Sequence, residues 1–195
     1  MRRSVKKQKK DLSAPAGKRK RYLVWGSIAL GVIAVFGLLV LGLRNPDVIH
    51  GLQHYLGLQR GHDEDVVYDT STGLPPAGGV HSPRWQNCGI YDEPIASKNA
   101  VHSLEHGAVW VTYNPSLAES EVAKLRDLVQ GESFVLMSPF VDQASPIVLT
   151  AWGLQLEVDE ADDGRIPNFI NAYQLGPQTP EPGASCSNGV GEPVG

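Results

Sequence analysis

Two histidines and a glutamate are packed into His102-Ser103-Leu104-Glu105-His106, just ahead of an apolar run. Neutral imidazole is the commonest protein ligand for zinc and copper, so a pair of histidines four apart raises the question of a shared metal ion. Local structure decides the answer. Within one helical turn the two side chains lie roughly 6 Å apart on one face. In an extended strand they would be roughly 13 Å apart, at about 3.3 Å per residue, too far to share an ion. Ser97–His106 permits a short helix, and Gly107 supplies its stop. The letters also have the His-x-x-Glu-His form of the inverted zinc peptidases, in which Glu105 would activate a zinc-bound water and a distant Glu181 would complete the shell. Context argues against hydrolysis: those motifs sit within long helices, whereas a β-branched run follows Gly107 at once, and Glu181 lies in the turn-rich Thr179-Pro180-Glu181-Pro182-Gly183.

The elements that must position these groups follow in order. Ala108–Tyr113 is β-branched and aromatic, bounded by Gly107 and Asn114-Pro115, and predicts a buried strand. Ser116 and Glu119 fit a capping box, followed by Val122, Leu125, Leu128 and Val129 at helical spacing, with Gly131 as the stop. Phe134–Met137 and Pro146–Gly153 predict two strands, paired antiparallel across Phe140–Ser145. Glu157–Asp163 predicts an acidic surface loop, and Ile166–Leu175 a second helix closed by Gly176-Pro177. The expected architecture is a small α/β domain, one sheet with helices packed on it, in which the strands flanking the first of these two helices are parallel neighbours. The order is that of the end of a thioredoxin-like domain, but without a Cys-x-x-Cys motif its redox chemistry is not expected.

Charge is segregated along the chain. Ten of the 17 Lys and Arg fall in residues 2–21 against one acid, Asp11, which leaves seven basic against twenty acidic residues, a formal −13, from Arg44 onward. Between these regions Tyr22–Leu43 carries no charge, and its 22 residues exceed the roughly 20 that cross a bilayer as a helix. A cleaved signal peptide would need a shorter apolar core and a small-residue cleavage site, which Leu41–Pro46 does not offer. The sequence therefore predicts a cytoplasmic basic arm (1–21), a single-pass transmembrane helix (22–43), a juxtamembrane segment (44–60), an extracytoplasmic domain (61–176) and a flexible Pro/Gly/Ser-rich tail (177–195), with the membrane itself as a partner. The acidic exported part argues against nucleic acid. Cys88 and Cys186 would both lie outside the cytoplasm, where a disulfide is the expectation and free metal-ligating thiols the alternative.

The other histidines lie in less regular surroundings. Pro46–Gln59 puts Val48, Ile49, Leu52, Tyr55 and Leu56 on one helical face and His50 beside His54, a pair with no third ligand nearby. His62 stands among Asp63, Glu64 and Asp65, ahead of a short strand expected at Val66–Tyr68. Thr72–Pro83 is too rich in Pro and Gly for a helix or central strand; it is either a linker or an ordered loop that presents His81.

In its motifs the chain resembles the bacterial family catalogued as domain of unknown function 3105. The resemblance rests on Gly61-His62, Pro75-Pro76 with Gly79 and His81, Gly89-Ile90-Tyr91, Val101–Gly107, Val111-Thr112-Tyr113 with Pro115, and Thr150–Gly153, and runs from about Gly61 to Tyr173. The family's usual Thr-Ser-Gly-Pro before the loop histidine is here Ala77-Gly78-Gly79-Val80. The resemblance implies a fold but no activity. It also selects His62, His81, His102 and His106 as the metal candidates and leaves out His50 and His54. The expected function is a membrane-anchored domain that binds a transition metal for handling or sensing, copper ahead of zinc, with Met137 either a soft ligand or core filler. The alternative is a metal-free module in which the histidines hydrogen-bond the Pro/Gly loop to the sheet edge, with Glu105 accepting from one of them, and the Pro/Gly loop and acidic face dock an envelope protein.

Overall fold

The structure, a computed structural model, describes residues 48–194. The expected basic arm and transmembrane segment lie outside the described residues. Among the described residues no helix is long and apolar enough to cross a membrane.

The central strand is β3 (Val109–Tyr113), whose five residues are all buried. Alternate side chains of a strand point to opposite faces, so an apolar run without polar alternation needs cover on both. Trp110 packs with Ala100, Val101 and Leu104 of helix α1 (Ser97–Glu105) and with Leu136 and Trp152. Val109, Val111 and Tyr113 pack on the other side against Leu125 and Val129 of α2 (Glu119–Val129) and Ile166, Phe169 and Ile170 of α3 (Arg165–Tyr173). Helices thus cover both faces of one mixed sheet. It is completed by β1 (Gln53–His54), β2 (Gly89–Ile90), β4 (Val135–Pro139), β5 (Ile147–Ala151) and β6 (Leu154–Val158), in the order β1-β6-β5-β3-β4-β2.

The α/β class, the short helix before Gly107 and the parallel neighbours β3 and β4, paired Val109 to Val135 through Tyr113 to Pro139, agree with expectation. The pairing of the next strand does not. β5 runs antiparallel to β3, Trp110 opposite Thr150, and β3 separates it from β4. β3, β4 and β5 are all buried along their whole length, and β3 lies between the other two, accepting β4 on one edge and β5 on the other. β6 reaches into the expected acidic loop, and Glu157 lies in a strand opposite Val148. No capping box forms. Ser116 is held by Asn114, through its amide at 2.8 Å and its hydroxyl at 2.7 Å, and α2 begins after Ala118.

Three further expectations are also corrected. Residues 48–59 form no helix; Gly51 and Gly57 turn the chain at positive φ, and Gln53-His54 adds a strand to β6. Val66–Tyr68 forms no strand, and the Tyr68 hydroxyl instead donates to Val80 O at 2.8 Å. The segment after Gly176 is not a loose tail. It is held by hydrogen bonds from Glu181 N to Glu105 O (3.0 Å), Gly183 N to His106 O (3.0 Å) and Val190 N to Trp85 O (2.9 Å), and by a disulfide between Cys186 and Cys88. Its composition suits a mobile chain, but backbone groups and a covalent bond hold it, and neither depends on apolar content.

Candidate metal centre

Helix α1 delivers the first part of the site. It ends in a Schellman motif: Ala108 N donates to Ser103 O at 2.9 Å and Gly107 N to Leu104 O at 3.1 Å. Gly107 has φ +110°, and a Cβ there would stand 2.8 Å from Leu175 Cδ2 and 3.1 Å from its Cα. The position therefore needs glycine twice, for its backbone angle and for space. Buried Ala100, Val101 and Leu104 hold one side of the helix to the sheet, leaving His102, Glu105 and His106 to face the loops.

Two loops bring the remaining groups. Gly61-His62-Asp63 and His81 are zipped by backbone hydrogen bonds, His81 N to Gly61 O (3.0 Å) and Asp63 N to His81 O (2.7 Å), so His62 and His81 stand side by side. The Pro/Gly loop is ordered beneath them: Gly153 N donates to Ala77 O at 2.7 Å, and buried Gln155 donates to Pro75 O at 2.9 Å. Gly78 has φ +140° and would carry a Cβ 2.8 Å from Leu58 Cδ1. The loop is thus packed onto the sheet, the second of the two options its sequence allows. Glu64 fastens the outer side, accepting from the Ser82 hydroxyl (2.7 Å), Lys98 (3.1 Å) and Arg84 (3.3 Å). Ser82 first, and then these cations, hold its carboxyl well down, at about 2.

The result is a compact cluster. His62, His81, His102 and Glu105 each offer a ligand atom, and these atoms all lie within 4.8 Å of one another. The His62 and His102 rings stack at 5.0 Å, and His81 meets them edge-on at 4.9 and 4.8 Å. A tetrahedral zinc shell, with bonds of about 2.0–2.1 Å, needs ligand atoms about 3.4 Å apart. The pairs His81–Glu105 at 2.9 Å and His62–Glu105 at 3.9 Å bracket that spacing.

Hydrogen-bond roles sharpen the picture. His102 Nδ1 contacts Ser82 O at 2.7 Å; a carbonyl only accepts, so the proton is on Nδ1 and the Nε2 lone pair is free for a ligand. Burial pushes the His102 pKa down to about 4, against the Ser82 hydrogen bond and with help from the facing imidazoles of His106, His81 and His62, so the ring is neutral at pH 7. His81 has both nitrogens engaged, Nδ1 on Gly79 O at 2.8 Å and Nε2 on Glu105 Oε2 at 2.9 Å. The Gly79 carbonyl again requires N–H at Nδ1. A neutral His81 would then aim its Nε2 lone pair at a carboxylate oxygen, which is repulsive. The contact needs a cation between the two atoms, either a proton or a metal ion.

Of the four sequence candidates, His62, His81 and His102 come together and His106 stands beside them. Its ring lies 4.5 Å from His102, but its Nδ1 donates to Ser185 O at 2.6 Å and Trp85 flanks it at 5.3 Å. Glu105 takes the fourth place. From the sequence Glu105 is expected as a hydrogen-bond acceptor or a peptidase base, not as a ligand. On a helix Glu105 and His106 flank His102 on opposite sides, and only the approach of the His81 loop selects between them. Glu181 is outside the cluster and meets the site only through its backbone. Met137 is buried on the α2–α3 face of the sheet, as core filler. His50 and His54 are remote, His50 O accepting from Arg165 at 2.9 Å. Cys88 is consumed by the disulfide, which removes it as a thiolate ligand.

No curated protein and no solved structure matches the chain. Residues 60–188 match the family described as Protein of unknown function (DUF3105), a span that begins just before His62 and ends beyond Cys186. It takes in every group of the cluster and the segment that flanks His106. The chain belongs to that family.

Proposed function

We propose that this domain binds a single divalent transition-metal ion on His62, His81, His102 and Glu105, and that it handles or senses the ion rather than turning over a substrate. The observation that carries the reading is the convergence of ligand atoms from three imidazoles and a carboxylate, all within 4.8 Å of one another, around a His81–Glu105 contact that a metal ion or a proton can bridge. Three nitrogens and one carboxylate oxygen suit zinc or divalent copper, and copper binds nitrogen-rich sites the more tightly. Imidazoles that donate Nδ1 to backbone carbonyls, as His81 and His102 do, are the usual supports of metal-bound rings. The side chain of His62 is 50% exposed, against 6% for Glu105, so the ion has a solvent path through a ligand that can swing. That suits uptake and release better than permanent retention. The charge split about Tyr22–Leu43 completes the proposal: the chain is anchored in the membrane with this domain outside the cytoplasm.

Thermal unfolding of the full-length, untagged protein tests the binding. An ion at a hundred times its dissociation constant adds about 2.7 kcal/mol, worth about 5–10 °C for a domain of this size. The shift should appear with Cu²⁺ or Zn²⁺, vanish with chelator, and be missing in His102→Ala. A second reading has one observation in its favour: the rings of His81, His102 and His106 each hold a loop carbonyl. If the histidines only tie loops together, wild type melts at one temperature under all three conditions while His102→Ala still melts lower.

A further inference from the structure

The metal site has a wall that its ligands do not explain. Residues 181–190 cross the C-terminal end of α1 without forming a helix or a named strand, and several of their polar contacts are to the site's supports. Glu181 N and Gly183 N donate to the carbonyls of Glu105 and His106. Ser185 O accepts from His106 Nδ1 at 2.6 Å, and Ser187 O accepts from Trp85 Nε1 at 3.1 Å. The Trp85 ring in turn lies 5.3 Å from His106 and 5.7 Å from His102. Between Ser185 and Ser187 sits Cys186, bonded to Cys88, with Cys88 N donating to Cys186 O at 2.8 Å. The disulfide is thus the one covalent tie on the strap that backs His102.

We propose that the Cys88–Cys186 disulfide is a redox control on the metal site, with His106 as the positioning residue that connects the two. The inference rests on the metal reading of the cluster. With the disulfide closed, Ser185 and Ser187 stay in place, His106 and Trp85 keep their acceptors, and the His102 ring is held with Nε2 toward the other ligands. Opening it frees the strap, and His106 and Trp85 lose the partners that align them against His102. Second-sphere supports of this kind are worth about 10–100-fold in metal affinity. Cys88 is only half-buried, so a reductant can reach it. A thiolate of an external dithiol attacks Cys88 Sγ and expels the Cys186 thiolate. The second thiol of the reductant then resolves the mixed disulfide. Two electrons and two protons end on Cys88 and Cys186, and the dithiol leaves as its own disulfide.

The test measures Zn²⁺ affinity of the full-length, untagged chain by competition with a chromophoric chelator. It compares the oxidised wild type with Cys88→Ser/Cys186→Ser, which opens the strap without adding thiolate ligands. The double variant should bind Zn²⁺ at least about tenfold more weakly while keeping the wild-type circular dichroism, and His106→Ala should fall in the same range. Equal affinity, within about twofold, in oxidised wild type and a folded double variant overturns the redox control and leaves the metal site standing. Failure of the oxidised wild type to bind either Zn²⁺ or Cu²⁺ overturns the metal reading itself. If the double variant does not fold, Zn²⁺ release from the wild type is followed after adding a phosphine, which reduces the disulfide and is itself oxidised with oxygen from water. Release ahead of the loss of helical dichroism supports the control, and release only with global unfolding overturns it.

Discussion

At the scale of single residues, Glu105 separates a metal site from a network of loop-holding histidines. Its carboxylate is buried and shared between His81 and His62. Glu105→Gln keeps the size, and its amide can donate to the Nε2 lone pair of a neutral His81 whose proton is on Nδ1, so a purely structural network trades a charged hydrogen bond for a neutral one and should lose about 1–2 kcal/mol in chemical denaturation. A metal shell loses an anionic ligand, and affinity should drop by at least the 10–100-fold seen for lesser supports. His102 gives a pH signature in the metal-free protein. Its pKa is about 4 in the fold and near 6.5 when the chain unfolds, so between those values the unfolded chain holds a proton that the folded one does not. The stability that His102 contributes is therefore whole above pH 6.5 and is lost as pH falls toward 4. His102→Asn, whose amide can still donate to Ser82 O, should flatten that slope in denaturant melts with chelator present; an unchanged slope would remove His102 as its source.

At the scale of elements, the turn that ends α1 aims the ligands. Gly107→Ala forces a Cβ into Leu175 at a φ that costs a non-glycine residue about 1–3 kcal/mol. The expected result is a lower denaturation midpoint together with weaker metal binding, because the last turn of α1 carries both His102 and Glu105. This turn was legible in the sequence: a helix, then glycine, then a β-branched run leaves little choice. The placement of His102, with Glu105 and His106 one on either side of it, follows from that turn. What could not be read was the choice of Glu105 over His106, since helical spacing places one on either side of His102 and a loop distant in sequence decides. β1 and β2, at two residues each, are too short to show any periodicity. β6 was hidden because Glu157 and the acids after it outweigh Leu154, Leu156 and Val158, the residues that face the core. The connection between β4 and β5 is short enough to suggest a hairpin, whereas β3 lies between the two strands and pairs with both.

At the scale of the whole molecule, a ring of chain closed by the disulfide holds the site together. Cys88 and Cys186 are 98 positions apart, and closing a loop of that length is worth about 4–5 kcal/mol in the chain-entropy account. Cys88→Ser/Cys186→Ser should therefore lower the unfolding free energy by about 2–5 kcal/mol, the range for native disulfides of small domains. The composition of residues 177–195 gives no sign of this, because the segment is fixed by main-chain bonds to α1 and by sulfur. A reporter fused after Gly195 of the full chain should be active only outside the cytoplasm, where such a disulfide persists; activity in the cytoplasm would contradict the proposed topology. The central claim, that the histidines and Glu105 hold a metal, is tested most directly by elemental analysis. Full-length, untagged protein is equilibrated with Cu²⁺ or Zn²⁺ and then freed of unbound ion. Wild type and His50→Ala should each retain close to one ion per chain, and His81→Ala and His102→Ala very little. Wild type that retains no ion, or His102→Ala that retains as much as wild type, would contradict it.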